Sequence, residues 1–264
     1  MTLRDAGSIV PATANRLAWT EHGSGPPLRL IRGVMIGGDM FGPLVEELAT
    51  RHRLIVPDLR GHGRSRKLPP PDTVSQLAAD LAALLDHLGL ASVDVLGYSQ
   101  GGAVAQQLAC DHPARCRRLV LACTYAFNMA TLRERVEGRA VPLLLRVLGM
   151  KRFARLIIAM GLRRVDPSRA AWVTGLIAGQ DRRRMIQAWR AAMAFDGRPR
   201  LGEIRCPTLV IAGEHDDAVP MHHARELHGG IPGSRLAVVA GADHALVWSH
   251  PAELARLTEE FLAG

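Results

Sequence analysis

The sequence predicts an α/β fold: a mainly parallel central sheet flanked by helices, with a helical segment inserted between two of its strands. Three observations carry this. Short apolar runs rich in Val, Ile and Leu alternate along the chain with amphipathic stretches of helical spacing. Runs such as LIVP, LVLA and LVIA are apolar at consecutive positions, as strands covered on both faces are. Between residues 126 and 200 the runs stop and only helical spacing remains, after which the alternation resumes.

The elements follow in order. Residues 8 to 22 hold two short strand-like pieces with Ala14-Asn15 between them, a hairpin signal. The turn Gly23-Ser24-Gly25-Pro26-Pro27 leads into LRLIRG, 28 to 33, the first fully buried strand. A loop, VMIGGD, precedes FGPLVEELAT, whose Leu44 and Leu48 recur at helical spacing. HRLIVPD, 52 to 58, is the second buried strand, and it empties into DLRGHGRSRKLPPPDT, a loop rich in Gly, Pro and Arg. Thr73 or Ser75 can cap the next helix, VSQLAADLAALLDHLGL, which stops near Gly89 because glycine accepts the left-handed turn that ends helices. VDVLGYSQGGAV, 93 to 104, reads as a strand, a sharp turn and a small-residue helix; RRLVLACTY, 117 to 125, is the strand after it. LLLRVLGM, KRFARLIIAMGLRRV, SRAAWVTGLIAG and DRRRMIQAWRAAMAF form the helical insertion. PTLVIAGEHD (207 to 216), MHHARELHGGI, RLAVVAGADH (235 to 244) and PAELARLTEEFLAG restore the strand–helix rhythm. The expected division is a core of 1–125 and 201–264 and a helical cap of 126–200.

Composition bounds the function. At 264 residues the chain suits one domain with an insertion, and 48% hydrophobic content is ordinary for a globular protein. No apolar run approaches the roughly 18 to 20 residues that cross a bilayer, so no stable membrane insertion is expected. MTLRDAGSIV lacks the basic and apolar regions of a secretory signal, and the cytoplasm is the expected compartment. Cys110, Cys116, Cys123 and Cys206 show neither C-x-x-C spacing nor disulfide density and read as structural thiols. The net charge of +8 is uneven. Residues 129 to 200 hold sixteen Arg or Lys against five Asp or Glu, which leaves the rest of the chain slightly acidic. No recognition motif accompanies that charge, so no nucleic-acid partner is expected. Arg133, Arg135, Arg152, Arg155, Arg163, Arg182 and Arg183 read as solvated faces of amphipathic helices. A sharper option is that one or two turn inward onto an anionic substrate group, since a guanidinium fork suits a carboxylate or phosphate.

The chemistry concentrates at Gly97-Tyr98-Ser99-Gln100-Gly101, a nucleophile-elbow pattern in the strand–turn–helix context that gives it meaning. A serine hydroxyl is a poor nucleophile near neutral pH, so it needs a base, and the base an orienting acid. Two later strands end in suitable loops, Glu214-His215-Asp216-Asp217 and Ala242-Asp243-His244. Both loops fall at the sheet edge where open α/β sheets bind ligands.

With these residues the chain resembles the α/β-hydrolase-fold serine hydrolases, esterase- or lipase-like members with a helical cap. The matching stretches are IRG (31–33), DLRGHGRS (58–65), GYSQGG (97–102), GEHDDAVP (213–220) and GADHALVWSHP (241–251). The resemblance implies Ser99 as nucleophile and His244 as general base and acid. The family places its acid three residues after a glycine and four before a proline. That selects Asp216 between Gly213 and Pro220, with Asp217 as runner-up. Some members carry the acid one strand earlier, but ACTYAFN, 122 to 128, has no carboxylate. The oxyanion donors implied are the backbone N–H groups of Val34 and Gln100. Where the family has His-Gly, this chain has Arg32-Gly33, a change in the loop rather than in the mechanism.

The expected reaction is cleavage of a small ester, lactone or thioester through an acyl-enzyme, with no metal and no organic cofactor. Serine at the elbow argues against dehalogenase or epoxide-hydrolase chemistry, which uses an Asp. Carbon–carbon hydrolysis, a lyase step and cofactor-free perhydrolysis fit the same residues, and a non-catalytic ligand-binding protein is a further alternative. The expected partner is a small molecule, and the chain is read as a monomer or homodimer. His62 reads as structural by resemblance, and His22, His52, His87, His112, His222, His223, His228 and His250 as solvated or hydrogen-bonded. The His222-His223 pair lacks the spacing of an H-E-x-x-H metal site and reads as a solvated helix start.

Overall fold

The structure is a computed structural model that describes residues 8–10, 17–161 and 165–264. The strands are β1 (Ser8–Val10), β2 (Trp19–His22), β3 (Pro27–Ile31), β4 (Arg53–Pro57), β5 (Val93–Tyr98), β6 (Cys116–Ala122), β7 (Thr208–Gly213) and β8 (Arg235–Val239). They form one sheet in the order β1-β2-β4-β3-β5-β6-β7-β8. β1 pairs antiparallel with β2, and β2 antiparallel with β4; every later pairing is parallel. The hairpin expected at the N-terminus is therefore present in its strands, whereas its Ala14-Asn15 turn lies outside the described residues.

Between strands run α1 (Gly42–Leu48), α2 (Val74–His87), α3 (Gln100–Asp111), α4 (Leu132–Gly161), α5 (Pro167–Ala178), α6 (Arg182–Met193) and α7 (Met221–Gly230), and α8 (Leu246–Ser249) and α9 (Pro251–Ala263) follow β8. Thr73, not Ser75, caps α2, its side-chain oxygen accepting from the Gln76 N–H. α4 is two helices in one run, broken at Gly149, where φ is +69°. The helical insertion thus comprises α4, α5 and α6, followed by a short 3₁₀ turn at Arg198–Glu203.

The apolar strands read from the sequence bury both faces by alternation, since successive side chains point to opposite sides of a sheet. Leu28, Leu30, Leu96, Val120, Leu209 and Ile211 belong to the core cluster that also holds Leu44, Leu48 and Phe261 of α1 and α9. Ile31, Val95, Leu119, Leu121 and Val210 belong to the other, with Leu81 of α2, Leu108 of α3 and Leu227 of α7.

The strand order fixes where a ligand can sit. From β3 the chain moves to one side to make β4, then crosses to the other side of β3 to make β5. The connections leaving β3 and β5 therefore diverge, and the crevice beyond their carboxyl ends is the switch point where such sheets bind ligands. Ser99 follows β5 directly, and Gly33-Val34 follow β3.

Two boundaries differ from expectation. β6 ends at Ala122 rather than 125, because Cys123 takes φ +47° and leaves the extended region. A short helix, α8, follows Ala245 in a stretch for which the sequence pattern marks no element.

Candidate active site

Ser99 sits at φ +54°, ψ −125°, a conformation that a non-glycine residue adopts only when its surroundings enforce it. Those surroundings are the glycines on either side. A Cβ on Gly101 would lie 2.0 Å from the Ile31 carbonyl oxygen, and one on Gly97 would lie 2.5 Å from the Gly101 carbonyl oxygen. The backbone thus folds tightly against β3, and the bend raises the hydroxyl off the sheet edge. Hydrogen bonds fasten it: the Ser99 N–H donates to the Ala122 carbonyl (3.0 Å), and the Thr124 hydroxyl donates to the Ser99 carbonyl (2.6 Å).

β7 delivers Asp216 and β8 delivers His244 to the same place. His244 Nε2 lies 3.2 Å from Ser99 Oγ, and His244 Nδ1 lies 2.9 Å from Asp216 Oδ2. A neutral imidazole that donates from Nδ1 to the carboxylate leaves its Nε2 lone pair for the serine proton. The other Asp216 oxygen, Oδ1, accepts the backbone N–H groups of Ala218 (3.0 Å) and Val219 (2.7 Å), so the carboxylate is fixed at both ends. Asp216 is buried and Asp217 exposed. Burial by itself lowers the His244 pKa, but the Asp216 charge, the Asp216 hydrogen bond and the Asp243 charge outweigh it, and the net shift is upward.

A cavity of about 230 Å³ opens over Ser99. Val34 and Gln100, the expected backbone anion donors, line it beside Ser99 and His244. Its roof comes from the helical insertion, through Val141, Phe153, Ile158, Ile177, Trp189 and Met193. None of the residues lining it is an arginine. Arg146, Arg182, Arg183 and Arg190 instead line a separate, more open depression on the insertion, of about 730 Å³.

Arg32, at the position where the sequence departs from the family pattern, is fully buried. Its Nη1 donates to the Gly33 carbonyl (2.5 Å), while Nε and Nη2 have no partner among the described residues. Burial pulls its pKa down to about 9 against the opposing charge of Asp58. His62 lies in the same buried layer, with Nδ1 at 3.0 Å from the Arg60 carbonyl. Desolvation, and then the Arg32 charge, hold its pKa well below the ordinary value, which makes it a neutral structural group.

Sequence reasoning missed Tyr98 and Trp248. The Tyr98 hydroxyl donates to the His244 carbonyl, and the Tyr98 ring packs 5.3 Å from the imidazole and 6.2 Å from Trp248. Trp248 in turn donates from Nε1 to the Met40 carbonyl (2.8 Å). The available signal was position: Tyr98 is the last strand residue before the nucleophile. His223 also departs from the solvated reading, being fully buried against Glu134, while its neighbour His222 is exposed. The cysteines form no disulfide among the described residues.

Comparison with known proteins shows which family the chain belongs to. A family model described as alpha/beta hydrolase fold matches residues 26–149, and one described as TAP-like protein matches 186–263. A protein of Azorhizobium caulinodans named as a carbamate hydrolase is 32% identical, covering 87% of this chain and 88% of its own length. A poly(3-hydroxyalkanoate) depolymerase of Ectopseudomonas oleovorans is 31% identical over 81% of this chain and 76% of its own. Among solved structures, the enol-lactonase from Burkholderia xenovorans LB400 superposes with a TM-score of 0.85 at 26% identity, covering 96% of this chain and 99% of that one.

Proposed function

Since the chain belongs to the α/β-hydrolase family of hydrolytic enzymes, we propose that it cleaves small, neutral esters, lactones or thioesters through an acyl-enzyme on Ser99. The observation that carries this reading is the continuous hydrogen-bonded line from Ser99 Oγ through His244 to Asp216, placed under an apolar cavity at the switch point of the sheet.

In the first half-reaction His244 Nε2 takes the Ser99 proton as Oγ bonds to the substrate carbonyl carbon. The negative charge that develops on the carbonyl oxygen is held by the Val34 and Gln100 N–H groups, each such donor being worth about 3 kcal/mol in this type of site. The bond to the leaving alcohol or thiol then breaks, and His244 returns the proton to it. In the second half-reaction His244 takes a proton from water, which attacks the acyl carbon, and Ser99 regains its proton as the acid departs. Asp216 keeps the imidazole in the Nδ1–H tautomer throughout and stabilises the transient imidazolium.

Cavity size and lining support the substrate class. At about 230 Å³ the cavity is smaller than the pockets of roughly 300 Å³ and upward that take drug-sized ligands, which favours short acyl groups. Its apolar roof favours a neutral substrate, and gives the anionic option no guanidinium to act through. Residues 126–200 act in this reading as a cap that excludes water from the acyl-enzyme; Arg133, Arg135, Arg152, Arg155, Arg182 and Arg183 are exposed, and Arg163 lies outside the described residues. Relatives named as a carbamate hydrolase, a poly(3-hydroxyalkanoate) depolymerase and an enol-lactonase support a hydrolytic reading.

The test is a panel of p-nitrophenyl esters, lactones and vinylogous diketones on the purified protein, with Ser99→Ala as control. Turnover of short esters or lactones that disappears in Ser99→Ala is expected. Turnover of diketones alone moves the reading to carbon–carbon hydrolysis.

A further inference from the structure

Glu134, on the first turn of α4, and the His222-His223 pair, at the start of α7, come from segments 89 residues apart and meet at the Glu134 carboxylate. Glu134 Oε1 lies 3.0 Å from His222 Nε2 and 3.2 Å from His223 Nε2. Its other oxygen accepts the Thr131 N–H (2.8 Å), which fixes the carboxylate plane. The imidazoles lie side by side with centroids 4.0 Å apart, so adjacent residues present the same nitrogen to one point. His223 is fully buried with its ring edge against Tyr125, and its Nδ1 has no hydrogen-bond partner among the described residues. Its whole polar contact is therefore made at Nε2. The His222 side chain is 44% exposed, which leaves one side of the cluster open to water.

We propose that Glu134, His222 and His223 form a binding site for a divalent transition-metal ion, with Zn²⁺ as the reference ion and water completing its shell. Two imidazoles and one carboxylate are the donor set that ions of this softness prefer over Mg²⁺ or Ca²⁺, which take oxygen ligands. Bonds of about 2.0–2.2 Å to a tetrahedral ion put neighbouring donors roughly 3.3–3.5 Å apart. The two measured gaps fall just short of this, and all three donor atoms lie within 4.8 Å of one another. A small outward shift of the exposed His222 ring makes room for the ion. The site is separate from the Ser99 cavity, none of whose lining residues belongs to it. A bound ion joins the first turn of α4 to the first turn of α7, and so ties the helical insertion to the sheet domain.

The experiment uses the full chain, stripped with EDTA and dialysed, and titrated with Zn²⁺ by calorimetry and with Co²⁺ by visible absorption. One Zn²⁺ per chain is expected, with Co²⁺ bands of a tetrahedral or five-coordinate site and a rise in Tm on adding Zn²⁺. His222→Ala, at an exposed position that leaves the fold and ester turnover intact, is expected to weaken Zn²⁺ binding about 100-fold and abolish the Tm rise; Glu134→Gln does the same. Absence of saturable Zn²⁺ binding overturns the proposal, leaving the cluster a hydrogen-bonded latch. Binding that survives His222→Ala, or that is lost in His244→Gln instead, also overturns it.

Discussion

The Tyr98 hydroxyl donates a hydrogen bond to the backbone carbonyl of His244, so the residue before the nucleophile holds the loop that carries its base. Burial, the largest influence, and the nearby Cys123, Asp216 and Asp243 all raise the Tyr98 pKa well above its ordinary value, which keeps the phenol a donor at every working pH.

Tyr98→Phe removes that bond and keeps the ring. With a net value of about 1 kcal/mol for such a bond, kcat is expected to fall roughly 5-fold with KM nearly unchanged. Steady-state kinetics on the best p-nitrophenyl ester, beside a urea unfolding curve, separate this from a loss of folded protein.

Asp216→Asn is expected to lower kcat by about 10⁴-fold, because the amide can present an N–H to Nδ1 and so favour the wrong tautomer. Asp217→Asn, at an exposed position, should leave kcat within about 2-fold of the wild type. If the two effects are exchanged, the acid belongs one residue further along.

The pH profile follows from His244. Its pKa is raised above 6.5, and only the neutral imidazole accepts the serine proton. The acid limb of kcat/KM is therefore expected above 6.5 in the wild type and lower in Asp216→Asn, which loses both Asp216 contributions. The same upward shift stabilises the folded state fully below the unfolded pKa, and that increment is lost as pH rises through the folded value. Urea midpoints measured across this window should fall less in Asp216→Asn than in the wild type.

Gly101→Ala places a methyl 2.0 Å from the Ile31 carbonyl oxygen, and its nearest neighbours, in Ile31 and Arg32, are backbone atoms that cannot swing aside. A loss of more than about 3 kcal/mol in unfolding free energy is expected, with activity reduced in whatever folds. Gly202→Ala, where nothing lies within 4 Å, is the matched control and should unfold like the wild type.

What was legible in the sequence was local. The elbow could be read because its strand, glycines and helix are contiguous, and the collisions at Gly97 and Gly101 explain why those two positions lack a side chain. The strands could be read because β3, β5 and β7 each place apolar side chains in both core clusters, even though β3 also buries Arg29 and β5 Asp94. Asp216 was chosen over Asp217 by resemblance; spacing alone left both open, and what separates them spatially is the turn in which Oδ1 accepts the Ala218 and Val219 N–H groups. What could not be read was made by distant segments. Glu134 and His223 carry no shared spacing, so a fully buried histidine looked like a solvated one. The end of β6 was misplaced by three residues because nothing in Cys123-Thr124-Tyr125 announces the positive φ at Cys123, which the bond from its N–H to the Ile211 carbonyl (2.8 Å) holds in place. That Arg133, Arg152 and Arg182 are exposed while Arg169 reaches the Trp248 carbonyl needed the packing of α4 to α6.

The central claim is that Ser99 is the covalent nucleophile. Incubating the protein with a fluorophosphonate and mapping the adduct by mass spectrometry tests it most directly. The account predicts a single adduct on Ser99, complete loss of ester turnover in step with labelling, and neither labelling nor turnover in Ser99→Ala. An adduct on another residue, or ester turnover that persists in Ser99→Ala, would contradict it.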